Sequence, residues 1–416
     1  MKIFKHLVLA AVVLTCTIGA AAQGNTTSPY SMFGYGILND YATSSQRAMG
    51  GVGYAMNGGR QINVMNPASY AAIDSLTFLW DAGIDISMLR TTEGDRKAKS
   101  TGGGVDYLTM QFPITKNLGA SIGMLPFSSV GYEFASEIDN GSEARAGGGG
   151  LNVLYAGAAY KILDNLSVGV NVGYLFGTNV YDAYVYSDYG TTLFERVIQV
   201  RSWDLKIGAL YTYEIDQKHS ATVGFTFTPK KSLQGHTWGA YYDMTNDEQV
   251  DTIGYTSLNG KNYTPMSFGL GLSYEFDKKL YAEVDLTYQN WKDAKFAKVE
   301  GFDNNDGNLT FDNRWKVAAG VQYTPQQRGG FFRRVNYRIG AYYNHDYVNV
   351  RGNNVREYGL TCGLGLPAPG SKTVINLGFE YKHRTSSPIN YITENYFNIT
   401  LGVNFNQMWF WKSKID

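Results

Sequence analysis

From Ser75 almost to its end, the chain alternates apolar residues with polar or small ones, in segments of about ten residues separated by Gly, Asn, Asp, Pro and Lys. Such alternation predicts β-strands with two different faces. In residues 280–289 one face consists of Leu280, Ala282, Val284, Leu286 and Tyr288, and the other of Tyr281, Glu283, Asp285, Thr287 and Gln289. One face suits hydrocarbon and the other suits water, which predicts the strands of a transmembrane antiparallel β-barrel.

Fourteen segments carry this pattern, and the even number is typical of bacterial outer-membrane barrels. We expect the count to hold to within two strands. The predicted strands are residues 76–89, 105–113, 118–134, 149–162, 166–184, 198–215, 219–229, 264–276, 280–291, 314–324, 335–348, 355–366, 373–383 and 395–405.

The connections between these segments support the barrel. Three-residue turns follow the second, fourth, sixth and eighth strands, and much longer segments follow the first, third, fifth and seventh, the longest being residues 230–263. Short periplasmic turns and longer outer loops are typical of such barrels. The late connections 326–334 and 351–354 fit less well. A soluble β-sandwich does not explain the apolar face that recurs in nearly every strand, for example Phe397, Ile399, Leu401, Val403 and Phe405.

The N-terminus predicts export. Lys2 and Lys5 precede an apolar run, and Ala20 to Ala22 provide the small residues of a signal-peptidase site, so residues 1–22 are predicted to be a cleaved signal peptide. Cys16 suggests a lipoprotein alternative, but Thr15 occupies the position where a small residue is expected. Cleavage leaves Cys362 as the single cysteine, so no internal disulfide is expected.

Composition excludes other classes of protein. With 44% hydrophobic and 17% charged residues the chain is too apolar for a disordered protein. Basic and acidic residues number 36 each, so no basic field indicates nucleic acid as a partner. No stretch after residue 22 approaches the ~18 apolar residues of a transmembrane helix.

Residues 23–75 do not alternate, and they precede the first strand. A barrel of fourteen strands is wider than its own side chains can fill, and with an even count both ends lie on the periplasmic side. We therefore expect residues 23–75 to form a plug, or hatch, in the lumen of a barrel made by residues 76–405. Residues 406–416 would form an aromatic and basic tail, either an interfacial anchor or a contact for a partner.

Two short motifs in the N-terminal segment make the chain similar to a known family. Residues 49–55 read Met-Gly-Gly-Val-Gly-Tyr-Ala, and Asn66-Pro67-Ala68 precedes the first strand. Together with the fourteen strands, they resemble the FadL-type family of outer-membrane transport proteins. The resemblance implies passive uptake of long-chain fatty acids or other hydrophobic small molecules. It also implies hatch residues, namely Gly50, Gly51, Gly53, Asn66, Pro67 and Ala68.

The third predicted strand contains Pro126, within the stretch from Gly123 to Gly131. Proline cannot donate a hydrogen bond to a neighbouring strand, and such a loss is costly in hydrocarbon. Members of the FadL-type family have a kink in this strand that opens the wall sideways. We therefore predict a lateral opening at Gly123, Pro126, Phe127 and Gly131, the alternative being that Pro126 ends the regular strand near the outer rim.

The charges on the water-facing sides leave the ligand open. The lumen is strongly polar if seven of these side chains face inward, namely Tyr281, Glu283, Asp285, Lys316, Arg338, Glu380 and Lys382. Taken one at a time, the presence of each is explained by an ion pair that stabilises the wall. We expect the partners to be membrane lipids and a hydrophobic ligand, in the outer membrane of a Gram-negative bacterium. The alternative is a non-transporting barrel subunit of a secretion or assembly complex, whose partners would be other envelope proteins.

Nothing in the sequence predicts an enzyme, a metal site or a cofactor. Residues 119–123 have the spelling G-x-S-x-G, but within a predicted strand rather than at a strand-to-helix turn. His219, His236, His345 and His383 are scattered singly. Residues 302–308 have the composition of a calcium loop but lack its closing glutamate, so we expect a solvated outer loop.

Overall fold

The computed structural model describes residues 26–244, 251–259, 262–294 and 309–408. The predicted signal peptide, the lipoprotein alternative at Cys16, residues 302–308 and all of the tail from Trp409 onward lie outside the described residues.

Fourteen antiparallel strands form a closed barrel, because β1 pairs with β2 on one side and with β14 on the other. The predicted antiparallel β-barrel and its count of fourteen strands are confirmed. The strands are β1 (Thr77–Glu93), β2 (Arg96–Pro113), β3 (Leu118–Ile138), β4 (Gly141–Leu163), β5 (Leu166–Ser187), β6 (Gly190–Glu214), β7 (His219–Thr228), β8 (Ser267–Phe276), β9 (Leu280–Gln289), β10 (Arg314–Tyr323), β11 (Asn336–Val350), β12 (Asn353–Pro367), β13 (Val374–Ser387) and β14 (Thr393–Met408).

The two faces of each strand are as the alternation predicts. On β9, Val284 is 53% exposed on the outer wall, whereas its neighbour Glu283 is 2% exposed and faces inward. The outward side chains at the middle of the barrel are large and apolar, which is the surface that a bilayer requires. Cys362 lies on this outer surface of β12. None of the helices in the described ranges is long and apolar enough to span a membrane.

The outer connections correct one prediction. Long segments were expected after β1, β3 and β5, but two-residue turns follow these strands, at 94–95, 139–140 and 188–189. The residues expected in loops continue the hairpins instead, so that β4 and β5 stay paired up to Gly141 and Ser187. The outer halves of these strands lack an apolar face because they extend beyond the apolar belt of the barrel. Their backbone N–H and C=O groups are still hydrogen-bonded, because the strands stay paired. The connection after β7 is long and contains the short strands Lys231–Ser232, Gly235–Asp243, Asp251–Ser257 and Tyr263–Thr264.

The inner turns at 164–165, 216–218 and 277–279 are short, as predicted. The two connections expected to fit less well do depart from the alternation, because the inner connection from β10 to β11 is longer and Arg351 and Gly352 form a tight outer turn. The connection from β9 to β10 contains the 3-10 turn Trp291–Asp293 and the short strand Leu309–Phe311. Strand β14 continues to Met408, so the barrel ends three residues later than the predicted boundary at 405.

Residues 26–74, called the luminal segment below, lie inside the barrel. They contain the 3-10 turns Pro29–Met32 and Pro67–Ala72, the short strand Ile37–Leu38 and the helix α1 (Ser44–Arg47). The segment contacts widely separated parts of the wall. The Ser44 N–H donates to the Tyr107 hydroxyl on β2, the Gly50 N–H to Thr361 on β12, and the Asn66 side chain to the carbonyl of Ala209 on β6. Only a segment within the lumen can reach all three strands.

Candidate functional site

The wall has a gap between β2 and β3. Their pairing runs from Pro113 and Gly119 only as far as Leu108 and Met124. On its other side β2 stays paired with β1 out to Arg96, and β3 stays paired with β4 out to Ile138. The outer halves of β2 and β3 are therefore regular strands whose facing edges are not paired with each other.

The predicted lateral-opening residues lie at and around the start of this gap. Pro126 lies two positions after the last residue of β3 that pairs with β2. A bulge at Pro126 leaves Phe127 without a partner on β4. Gly131 lies in the separated part, whereas Gly123 is still paired with Thr109 in the closed part of the wall. The missing N–H of Pro126 thus coincides with the point at which the two strands part.

The luminal segment covers the exposed edge of β3. Ile37 and Leu38 pair with Ser129 and Ser128 as a short antiparallel strand. The Asn39 N–H donates to the Phe127 carbonyl at 2.9 Å. An unpaired backbone N–H or C=O group is costly beside a membrane. These contacts provide hydrogen-bond partners for β3 at the point where it leaves β2.

A serine completes this cover. The Ser31 hydroxyl donates to the Gly131 carbonyl and accepts from the Gly131 N–H, both at 3.0 Å. Sequence reasoning missed Ser31 and the strand Ile37–Leu38, because two residues are too few to show alternation.

A cavity of about 1740 Å³ lies beside the gap in the outer half of the barrel. Its floor is the start of the luminal segment, including Tyr30, Met32 and Phe33, and no residue from 34 to 74 lines it. Apolar side chains from several strands complete it, and charged residues from the turn between β1 and β2 form its rim. Its main apolar residues are Tyr132, Phe134, Val180, Val350 and Ile392, together with Ile86 and Val105, which are 46% and 56% exposed beside the gap, and the rim residues are Glu93, Asp95, Arg96, Lys97 and Lys99.

Carboxylates of β9 hold the predicted glycine-rich motif of the luminal segment. Asp285 accepts the backbone N–H groups of Gly53 and Tyr54 at 2.7 and 3.0 Å, and Glu283 accepts that of Ala55 at 2.6 Å. Gly50 and Gly51 have φ values of +76° and +78°, which favour glycine. A Cβ on Gly50 would also approach the Ala341 carbonyl oxygen to 2.9 Å.

The Asn66-Pro67-Ala68 motif lies against β5 and β6. The Asn66 amide donates to the carbonyls of Tyr54 at 2.7 Å and Ala209 at 3.1 Å, and its oxygen accepts the Ala68 N–H at 3.1 Å. Pro67 begins the 3-10 turn, where a missing N–H costs nothing. The two predicted hatch motifs therefore meet directly, through Asn66 and Tyr54.

Buried ion pairs lie in the middle of the lumen. Asp40 binds Arg314 at 2.9 Å and Lys316 at 2.6 Å, and Arg47 binds Asp106 at 2.7 Å. Burial alone would raise the pKa of the Asp40 carboxyl, but Lys316 and Arg314 hold that pKa well below its usual range. The inward charges predicted at Glu283, Asp285, Lys316 and Arg338 are buried, and Glu380 and Lys382 are half-buried.

The described ranges provide no support for a catalytic site or a metal site. Ser121 of the G-x-S-x-G spelling lies within β3 and donates to the Met110 carbonyl at 2.7 Å. The four histidines lie on different strands, and the described residues contain no group of three or more His, Cys, Asp or Glu side chains placed to hold a metal ion.

Comparison with solved structures confirms the fold of FadL-type barrels. A FadL homologue of Pseudomonas aeruginosa matches with a TM-score of 0.61 at 11% identity, over 89% of this chain and 99% of that one. The toluene transporter TodX of Pseudomonas putida matches with a TM-score of 0.62 at 16% identity, over 90% and 100%. The toluene transporter TbuX of Ralstonia pickettii has a TM-score of 0.53 at 13% identity, over 88% and 99%.

The sequence comparisons give a different family name. No curated protein matches the chain. A family model described as BamG matches residues 3–416, which is almost the whole sequence. The protein therefore belongs to the BamG family and has a FadL-type fold.

Proposed function

We propose that the protein is an outer-membrane channel for passive uptake of hydrophobic small molecules, such as long-chain fatty acids. The observation that supports this most directly is the 1740 Å³ cavity beside the gap between β2 and β3. The volume exceeds that of typical small-molecule pockets, about 300–1,000 Å³. Tyr132, Phe134 and Ile392 give it an apolar interior.

The route we propose is sideways rather than straight through the barrel. A ligand would enter past the charged rim, rest on Tyr30, Met32 and Phe33, and leave between β2 and β3 into the bilayer. Pro126 and the bulge at Phe127 keep the two strands apart. Transfer from water through an apolar cavity to lipid is downhill for a hydrophobic molecule, so no energy source is needed.

In this proposal the luminal segment is the hatch that closes the rest of the lumen. Asp285 and Glu283 hold Gly53 to Ala55 against β9, and Asn66 holds the segment to β6. The buried ion pairs of Asp40 would keep ions and water from leaking through. TodX and TbuX are toluene transporters, which agrees with a hydrophobic cargo, although each shares only the fold with this chain.

The second candidate is a non-transporting barrel subunit of an outer-membrane secretion or assembly complex. The observation in its favour is that the luminal segment and its ion pairs occupy the lumen on the inner side of the cavity. A barrel that needs no conduction path can use its interior only for stability, and its outer and periplasmic faces for partners.

Obstructing the cavity tests the two candidates. A Cβ on Gly148 meets no atom within 4 Å, and this glycine lines the cavity, so Gly148→Trp should place an indole ring in the cavity and obstruct it without disturbing the wall. Gly330→Trp is the matched control, because Gly330 also has open space and lies at the opposite end of the barrel.

The measurement is native mass spectrometry after mild extraction from the membrane, combined with uptake of a fluorescent fatty acid into vesicles that contain the barrel. We expect a bound hydrophobic molecule and uptake in the wild type and in Gly330→Trp, and neither in Gly148→Trp. A ligand-free barrel in stoichiometric complex with other envelope proteins, with no uptake by any variant, would overturn the channel and support the second candidate.

A further inference from the structure

The connection from β10 to β11 differs from the other turns at its end of the barrel. Residues 326–334, called the arginine loop here, read Gln-Gln-Arg-Gly-Gly-Phe-Phe-Arg-Arg. They carry two adjacent exposed aromatic rings, and Phe332 is 77% exposed. The neighbouring turn at 277–279 is shorter and carries no aromatic residue. Neither the cavity nor the luminal ion pairs explain this composition.

The loop reaches from the mouth of the lumen to the outside of the wall. On the luminal side, Arg60 donates to the Gln327 side-chain oxygen at 3.0 Å. On the outer side, the hydroxyl of Tyr337 donates to the Phe332 carbonyl at 3.2 Å. Tyr337 and Tyr323 are exposed outward-facing residues at the ends of β11 and β10, where the aromatic belt of a membrane barrel lies. Phe332 is therefore placed at the level of the membrane interface.

The charges of the loop suit an anionic surface. Arg328 and Arg333 are exposed, Arg334 is half-buried, and within the described ranges none of the three forms an ion pair with a carboxylate. The Gln326 N–H donates to the Arg333 carbonyl at 2.7 Å and closes the loop, so the aromatic and basic side chains project from one compact unit. Aromatic rings beside arginines are typical of segments that lie in the headgroup region, where arginine binds phosphate.

We propose that the arginine loop is an interfacial anchor, with Phe331 and Phe332 inserted at the boundary of headgroups and acyl chains and its arginines bound to the phosphates of anionic phospholipids. The bond from Tyr337 favours the bilayer over a soluble protein partner, because it holds the rings beside the wall and not beneath the lumen. The anchor does not depend on transport, so either candidate function is compatible with it.

Spin labels test the position of the loop. In a Cys362→Ser background, nitroxides are placed at Phe332→Cys and at Tyr189→Cys, the latter a 95% exposed residue in the outer turn. Native Cys362 on the outer wall gives the lipid-facing reference. Accessibility to oxygen and to a water-soluble nickel chelate is measured in vesicles of zwitterionic phospholipid with one-third phosphatidylglycerol, after gel mobility has shown that each barrel is folded.

We expect the oxygen-to-nickel ratio at position 332 to lie between those at 362 and 189. Replacing Arg328, Arg333 and Arg334 by Gln, or omitting phosphatidylglycerol, should move the ratio at 332 toward that at 189. A ratio at 332 equal to that at 189 in the anionic vesicles would overturn the anchor and leave the loop free for a soluble partner. An interfacial ratio that neither change affects would overturn the assignment of the arginines to phosphate.

Discussion

The side-chain carboxylate of Asp285 accepts the backbone N–H of Gly53 at 2.7 Å, although the two residues are 232 positions apart in sequence. The same oxygen accepts the Tyr54 N–H at 3.0 Å. A wall carboxylate thus supplies the acceptor that the glycine-rich motif lacks within the luminal segment. This relationship explains why an acidic residue faces the interior of β9.

Asp285→Ala should loosen the luminal segment. Two buried N–H groups lose their acceptor, at a cost of about 1–3 kcal/mol, which corresponds to about 5- to 150-fold faster exchange of local amides. Hydrogen exchange of the peptide covering Gly53 to Met56 measures this. Asp277→Asn, in the exposed turn after β8, is the control and should leave that exchange unchanged. Equal exchange in all three proteins would show that Asp285 does not hold the motif.

Gly208→Ala should displace the Asn66 motif. A Cβ at this position on β6 would lie 2.1 Å from the Asn66 side-chain oxygen, so the amide must move and lose its bonds to Tyr54 and Ala209. Overpacking of this kind typically costs about 1–3 kcal/mol. Thermal unfolding followed by gel mobility should show a lower midpoint for Gly208→Ala, but not for Gly330→Ala, which fills open space. A wild-type midpoint in Gly208→Ala would mean that the motif does not pack tightly against β6.

Ser31→Ala should expose the edge of β3. The Gly131 N–H then loses its acceptor and the Gly131 carbonyl loses its donor. We expect exchange at Gly131 to rise about 5- to 150-fold, from a cost of about 1–3 kcal/mol. Ser69→Ala removes a luminal hydroxyl that bonds only to Asn63 and Asn66, and should leave Gly131 protected. Fast exchange at Gly131 already in the wild type would contradict the cover that we describe.

Asp40→Asn should destabilise the barrel, because it leaves Arg314 and Lys316 buried without their carboxylate. Breaking such a pair costs about 3–5 kcal/mol. The lowered pKa of Asp40 sets the pH dependence. A carboxyl with a depressed pKa stabilises the fold fully above its unfolded pKa, and this stability is lost only as the pH falls through the lower, folded value.

The unfolding midpoints of the wild type and Asp40→Asn should therefore differ as much at pH 4.5 as at pH 7, whereas Asp188→Asn, in an exposed outer turn, should match the wild type at both. A difference that disappears by pH 4.5 would mean that the two cations do not hold the carboxylate ionised.

The sequence by itself determined the architecture. Strand number, the inward and outward faces and the short inner turns follow from a period of two residues, which is a local property that hydrocarbon outside and water inside impose on every strand. The inward charges such as Glu283 and Lys316 were predicted for the same reason. The outer hairpin extensions were missed because, beyond the membrane, nothing requires an apolar face on the residues that stay paired.

Only the tertiary structure determined the gap in the wall and the contacts within the lumen. Pro126 shows that a hydrogen-bond donor is missing, but not that β2 and β3 separate there, nor that Ile37 and Leu38 cover the exposed edge. The pairing of Asp40 with Arg314 joins residues 274 positions apart. Such contacts depend on closure of the barrel around the luminal segment, and no local pattern of residues specifies them.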